Sequence, residues 1–163
     1  MVKNTFPAQL ARKIFKAFDT AKLKYVLVGG AALAVHGLPR STLDLDIYIL
    51  TDKESVHKIF AIAKKLGLDS KEKDILHLAD TPKLLTNQWI CFSHKKRDIL
   101  DVFLTEEKEF SRLYKNSLRK KDRALSIRTA ALDDLKILKK ASGRAIDLAD
   151  LRLISEAQKI SKR

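Results

Sequence analysis

The sequence predicts an α+β (α/β) fold: a small mixed β-sheet flanked by helices, with further helices at the C-terminal end. Three observations carry this. Residues 24–28, 42–50, 84–92 and 98–104 are short apolar stretches of strand length, and two of them alternate in polarity. Around them lie segments whose apolar residues recur at three- and four-residue spacing, the helical period. The end of the chain holds two such segments, parted by Ser142-Gly143-Arg144.

Taken in order, residues 6–22 read as a helix, with Leu10, Ile14, Phe15 and Phe18 on one side and Pro7 suited to its first turn. Residues 24–28 form a strand. Residues 30–36, rich in alanine and leucine, form a short helix stopped by Gly37 and Pro39. Residues 42–50 form the next strand. Residues 53–66 form a helix that places Val56, Ile59, Phe60 and Ala63 together and ends at Gly67. Residues 69–82 carry the weakest pattern and are expected as a loop, with a short strand or turn at 75–78. Residues 84–92 and 98–104 read as paired strands across the polar turn 93–97. Thr105-Glu106-Glu107 opens a helix running to about Asn116. A short strand at 123–128 and helices at 132–141 and 146–158 complete the chain. With no repeat, low-complexity tract or linker, residues 1–163 are expected as one domain, its core at about 23–105 and its helical part at about 106–163.

Composition narrows the chemistry. A 45% hydrophobic content is enough for a packed core. The lone cysteine, Cys91, excludes an internal disulfide and a cysteine-rich zinc site. His57, His77 and His94 are too scattered to suggest a metal. The N-terminal MVKNTFPAQLARKIFKAF spreads its charges and has no apolar block, so neither a signal peptide nor a membrane span is expected. The expected setting is reducing and cytoplasmic. A net charge of +13, from 33 basic and 20 acidic residues, favours a polyanionic partner, nucleic acid first, because phosphate contacts release counterions. Lysine-rich solvated faces produce the same count.

The acids are the more specific signal. Residues two apart on a strand share a face. Leu43, Leu45, Ile47 and Ile49 then form a core face, and Asp44, Asp46 and Tyr48 the other. On the later strand Asp101 shares its face with Ile99 and Phe103, while Asp98 points the opposite way. A carboxylate among apolar neighbours needs a partner or a metal. If the two strands are neighbours, Asp101 comes alongside Asp44 and Asp46. Three carboxylates in a small site need cations between them, and hard oxygen ligands suit Mg²⁺ completed by phosphate and water. Gly29-Gly30, between a strand and a short helix, offers backbone N–H groups and close approach for an anion. No Lys-Ser/Thr follows and no G-x-G-x-x-G is present, which excludes the two common phosphate loops.

Together the apolar strand, Gly29-Gly30, the short helix, Arg40, Asp44-x-Asp46 and the later Asp101 resemble the nucleotidyltransferase superfamily that includes DNA polymerase beta. The wording VGGAALAVHG-x-x-R-x-T-x-D-x-D is similar to its minimal branch near the abortive-infection type IV toxin (AbiEii-like) proteins. In that branch a later Leu-Lys-Ala helix is followed by Gly-Arg and Asp-x-x-Asp; here Leu135, Lys139, Ala141, Gly143-Arg144, Asp147 and Asp150 match. The resemblance covers most of residues 25–153. Two positions depart from it: Gly30 stands where many members have serine, and Ile146 stands where some have lysine.

The resemblance implies a nucleotidyltransferase fold and a Mg²⁺-dependent transfer of a nucleoside monophosphate from an NTP to a hydroxyl, on RNA (a tRNA end included), a protein or a small molecule. Asp44, Asp46 and Asp101 would hold two Mg²⁺, with Mn²⁺ as the alternative ion, about 3.5–4 Å apart. Asp101 would also help deprotonate the acceptor. Gly29, Gly30, Arg40 and Lys139 would bind the nucleotide. It also implies a cognate antitoxin protein as a partner, and no membrane. A non-catalytic module of the same fold, binding nucleic acid or protein, is the rival expectation.

Supporting positions carry paired readings. Arg40 either neutralises phosphate or pairs with Asp44 or Asp52. His36 caps the short helix or orients a loop. Lys139 sits at the edge of a buried stripe, able to reach toward phosphate, whereas Lys136 and Lys140 are expected in solvent. Asp147 and Asp150 serve either as acids near a helix N-terminus, the reading favoured for Asp150, or as a polar link to Lys139 or Arg40. Trp89 is expected in the core, with base stacking if exposed.

Overall fold

The computed structural model describes residues 7–163. The expected helix start at Phe6, and the first six residues of the N-terminal segment read above, lie outside the described residues. Seven strands form one mixed sheet in the order β3-β4-β5-β2-β1-β7-β6. The strands are β1 (Tyr25–Val28), β2 (Leu45–Leu50), β3 (Asp69–Ser70), β4 (Trp89–His94), β5 (Arg97–Thr105), β6 (Leu118–Asp122) and β7 (Leu125–Thr129). The helices are α1 (Ala8–Thr20), α2 (Gly29–Val35), α3 (Lys53–Lys65), α4 (Glu107–Asn116), α5 (Leu132–Ser142) and α6 (Ala145–Ser161). This is the mixed sheet with flanking and C-terminal helices that the sequence predicts.

The centre of the sheet is the core. β1 is buried along its whole length, and Leu45, Ile47 and Ile49 of β2 are buried while the residues between them are half-buried. β2 pairs antiparallel with β1 and parallel with β5. Phe15 and Phe18 of α1 pack with each other and with Tyr25, with ring centroids 4.8–5.9 Å apart, and Ile14 is buried beside them in sequence. Each such side chain contributes about 1.5–3 kcal/mol by leaving water. The β4–β5 hairpin turns on Lys95 and Lys96, with φ of 49° and 64°. Two left-handed central residues suit a two-residue turn that matches strand twist.

Four boundaries differ from the sequence expectation. The strand expected at 42–50 begins at Leu45, and Leu43 is 47% exposed, not core. The cause is that β1 ends at Val28, paired with Asp46, and the chain then turns away at Gly29. Residues 43–44 therefore have no β1 neighbour and leave the ladder, and the Thr42 hydroxyl bonds Asp44 instead. The strand expected from residue 84 begins at Trp89, because Pro82 opens a 3-10 turn, Pro82–Leu85, that buries Leu85. The weak region 69–82 holds the two-residue β3 and a second 3-10 turn, Lys73–Leu78. Finally, β6 was not expected: its sequence LRKKD is nearly all exposed, and it is held to β7 by the backbone ladder. A charged edge strand leaves no hydrophobic period to read.

Candidate active site

The β2–β5 pairing builds the site. Because these strands are parallel and in register, Asp46 lies directly opposite Asp101. Asp44 precedes β2 in the bend, where the Thr42 hydroxyl donates to its Oδ1 at 3.1 Å and to its carbonyl at 3.0 Å. Carboxylate oxygens of Asp44, Asp46 and Asp101 all lie within 4.8 Å of one another. Among the described residues this is the one cluster of three groups able to hold a metal ion.

Electrostatics mark the cluster as starved of positive charge. Burial, then the neighbouring Asp44 and Asp101 carboxylates, push Asp46 up from 3.8 to about 7. Burial also raises Asp101, while donation from Trp89 and Cys91 holds it back and Asp44 adds to the rise. Asp101 Oδ1 is buried without a hydrogen-bond partner. Three crowded carboxylates, one with a free buried oxygen, fit a hard divalent cation in both charge and donor type. Burial, then Asp101, push the Cys91 thiol up to about 12, so it is no thiolate nucleophile.

The triad floors a cleft of about 520 Å³. Gly29 forms its edge with φ +68°, and a Cβ there would come within 2.1 Å of Asp46 Oδ2. Glycine is therefore required twice, by the backbone and by the carboxylate packed against it. At Gly30 a Cβ would meet Thr42 Cβ at 3.3 Å and Arg40 Cζ at 3.5 Å, a tighter site than a serine prefers.

The opposite wall comes from the α5–α6 hairpin. Lys139 is 6% exposed and lines the cleft, with its Nζ 3.1 Å from Asp147 Oδ1 and 2.7 Å from Asp150 Oδ2. Arg40 Nε donates to Asp150 Oδ1 at 2.9 Å, so its partner is neither Asp44 nor Asp52. Arg144 Nε donates to Asp147 Oδ2 at 3.0 Å and also faces the cleft. Burial alone would raise Asp147, but Arg144 and Lys139 together hold it well below the carboxylate range. Asp150 sits inside α6, not in its first turn, and is fully buried. That corrects the reading of Asp150 as an acid placed for the helix end: both acids pair with Lys139, and Asp150 links it to Arg40. Three cations against two buried acids leave this wall positive, facing a negative floor.

Other expected residues fall elsewhere. His36 does not line the cleft; its Nε2 meets the Ala130 carbonyl at 2.8 Å, tying the end of α2 to the start of α5. Desolvation lowers its pKa, so the neutral ring donates there. Lys136, expected in solvent, donates to Gln158 at 3.1 Å, whereas Lys140 is exposed. Trp89 is 50% exposed, not core, because it begins β4 on the face that carries Asp101 and opens to the cleft. Thr42, Arg144, Tyr48 and Phe103 also line the cleft and were not singled out as site residues. Tyr48 and Phe103 were detectable, since each follows a triad aspartate by two residues.

Solved structures share this fold. A Thermotoga maritima protein, TM1012, itself a candidate nucleotidyltransferase, matches with a TM-score of 0.59 at 14% identity, over 95% of this chain and 92% of its own. ANT(2″)-Ia, in complex with adenylyl-2″-tobramycin, matches with a TM-score of 0.64 at 13% identity, over 96% and 92%. An antigenic nucleotidyltransferase-like protein from Paracoccidioides brasiliensis matches with a TM-score of 0.53 at 14% identity, over 91% and 77%. At these identities the likeness is one of fold. No curated protein sequence matches the chain. The family described as nucleotidyltransferase of unknown function (DUF6036) matches residues 8–161, and the chain belongs to that family.

Proposed function

We propose that the chain is a Mg²⁺-dependent nucleotidyltransferase that moves a nucleoside monophosphate from an NTP to a hydroxyl, with RNA, a tRNA end included, as the favoured acceptor. The observation that carries this is the convergence of Asp44, Asp46 and Asp101 opposite the cationic wall of Arg40, Lys139 and Arg144. The fold shared with ANT(2″)-Ia, whose structure holds an adenylylated small molecule, supports the same reaction class. The net charge of +13 supports a polyanionic acceptor over a small alcohol or a protein side chain.

Asp44, Asp46 and Asp101 would hold the Mg²⁺, which when bound polarises the reacting phosphate and neutralises charge on the attacking and leaving oxygens. The chain's own groups do the rest. Gly29 and Gly30, with no side chains in the way, let the triphosphate approach the backbone. Arg40 and Arg144 balance the charge of the leaving pyrophosphate. Asp147 and Asp150 hold Lys139 and Arg40 in place from behind. Asp101, at the acceptor side of the cluster, would also take the acceptor hydroxyl's proton. The acceptor oxygen bonds to the α-phosphorus, the bond from that phosphorus to the pyrophosphate oxygen breaks, and pyrophosphate leaves.

Incubating the protein with each labelled NTP and total cellular RNA tests this reading. Label is expected in RNA for the wild type and absent for Asp101→Asn, whose melting temperature stays within a few degrees. Incorporation that survives Asp101→Asn overturns the reading, as does failure of every Mg²⁺-NTP to bind in calorimetry, which favours a non-catalytic module. The toxin–antitoxin setting rests on the motif wording alone; growth arrest on induction, relieved by a neighbouring gene, is its test.

A further inference from the structure

The register of the sheet places an aromatic row beside the carboxylates. Asp46 and Asp101 are partners, and two residues further along, so are Tyr48 and Phe103. On the other side of β5, Cys91 partners Asp101 and Trp89 partners Phe103. Trp89, Phe103 and Tyr48 therefore form a row parallel to that of Cys91, Asp101 and Asp46, about 6.7 Å from it. The Tyr48 and Phe103 rings stack, with centroids 5.3 Å apart and planes 23° from parallel. Trp89, half exposed, ends the row at the cleft.

We propose that Trp89 is the stacking platform for the terminal base of the acceptor, the 3′-end nucleoside of a single-stranded RNA. This rests on the nucleotidyltransferase reading. In-line displacement puts attacking and leaving oxygens on opposite sides of the phosphorus. Across the sheet the order is β1, β2, β5, β4. Gly29 and Gly30, which follow β1, and Arg40 mark the pyrophosphate side. The attacking hydroxyl then lies by Asp101 on β5, and the rest of the acceptor lies over β4, where Trp89 stands. The gap between the two rows is about one ribose, the distance from a 3′-hydroxyl to the base on the same sugar. Single-stranded RNA ends present unstacked bases to aromatic faces, and such stacking tolerates any base. Glu106 and Glu109 line the cavity beyond Tyr48 and Phe103. Those acids repel phosphate, so the seat takes one terminal base and no further nucleotides on that side.

Trp89 is the only tryptophan in the chain, so its fluorescence reports on this seat and on Asp101, to which its indole donates; the titrations are therefore run with Mg²⁺ already saturating. A short single-stranded oligoribonucleotide with a free 3′-hydroxyl is expected to quench it saturably, and each Mg²⁺-NTP to quench it little. Trp89→Ala is expected to raise the oligoribonucleotide KM about tenfold, well beyond its effect on the Mg²⁺-NTP dissociation constant in calorimetry, which loss of the indole N–H bond to Asp101 shifts by itself. Trp89→Phe, which keeps a ring, guards against misfolding and lacks the N–H that bonds Asp101, is expected to restore most of the KM loss, so that the ring and not that hydrogen bond accounts for it. Quenching by an NTP alone to the same extent overturns the proposal, because the row would then seat the donor base; the nucleotidyltransferase reading survives. An unchanged oligoribonucleotide KM in a folded Trp89→Ala also overturns it. Quenching by a tyrosine peptide or a cyclic amino alcohol but not by RNA does so as well. Absence of NTP binding, by contrast, sinks the underlying reading, whatever Trp89 reports.

Discussion

Replacing Asp46 with asparagine should stabilise the metal-free protein at high pH. The raised pKa of Asp46 means its charged form is disfavoured by the fold. An unfolded chain ionises this group near 3.8 and the folded one near 7. Between those values the native state binds the extra proton, so stability falls as pH rises, and the full penalty is present above pH 7. The gap of about 3 units corresponds to about 4 kcal/mol at 1.36 kcal/mol per unit. Partial exposure and solvent screening reduce this to about 1–2 kcal/mol. In a chain of this size that is about 4 °C in melting temperature. Thermal melts of wild type and Asp46→Asn in EDTA are therefore expected to differ by about that amount at pH 8, and by about a quarter of it at pH 4.5. Added Mg²⁺ should raise the wild-type melting temperature, more at pH 8 than at pH 5, and leave the variant nearly unmoved. A variant less stable than wild type at pH 8 in EDTA, or equally responsive to Mg²⁺, would refute the crowded-carboxylate account.

Other substitutions test the rest of the cleft. Gly29→Ala combines a left-handed backbone with a Cβ 2.1 Å from Asp46 Oδ2; a loss of about 1–3 kcal/mol in denaturant melts is expected, together with weaker Mg²⁺ binding, and wild-type values for both would contradict the packing. Gly30→Ser, whose Cβ meets Thr42 at 3.3 Å, should cost less than about 1 kcal/mol; a collapse of the fold would show that Thr42 and Arg40 cannot yield. Lys139→Met strands Asp147 and Asp150 as buried acids and should cost about 3–5 kcal/mol, and a change under 1 kcal/mol would mean that Arg40 and Arg144 suffice for them.

Much of the site was legible because its signals are local. Alternation along residues 43–50 put Asp44 and Asp46 on one face, and Asp101 stood out as an acid between Ile99 and Phe103 on the other strand. Helical spacing put Lys139 at the edge of a buried stripe, while its link to Asp147, on the next helix, stayed one of two open readings. Two kinds of feature were hidden. The edge strand β6 has no apolar period, so only its ladder to β7 defines it. The exposure of Trp89 depends on which strands become neighbours, and its residue type alone argues for the core.

By itself, the sequence determined the class of fold, the strand-glycine-helix turn, and the identity of the acids, since these follow from periods of two and 3.6 and from what glycine and carboxylates tolerate. The tertiary structure decided the partners. Parallel register between β2 and β5 set Asp46 against Asp101, and the return of α5 and α6 over the sheet set Lys139 between Asp147 and Asp150, with Arg40 on Asp150. Contacts such as Asp46 with Asp101 and Arg40 with Asp150, the latter 110 positions apart, depend on how whole elements pack, and no local pattern in the chain encodes them.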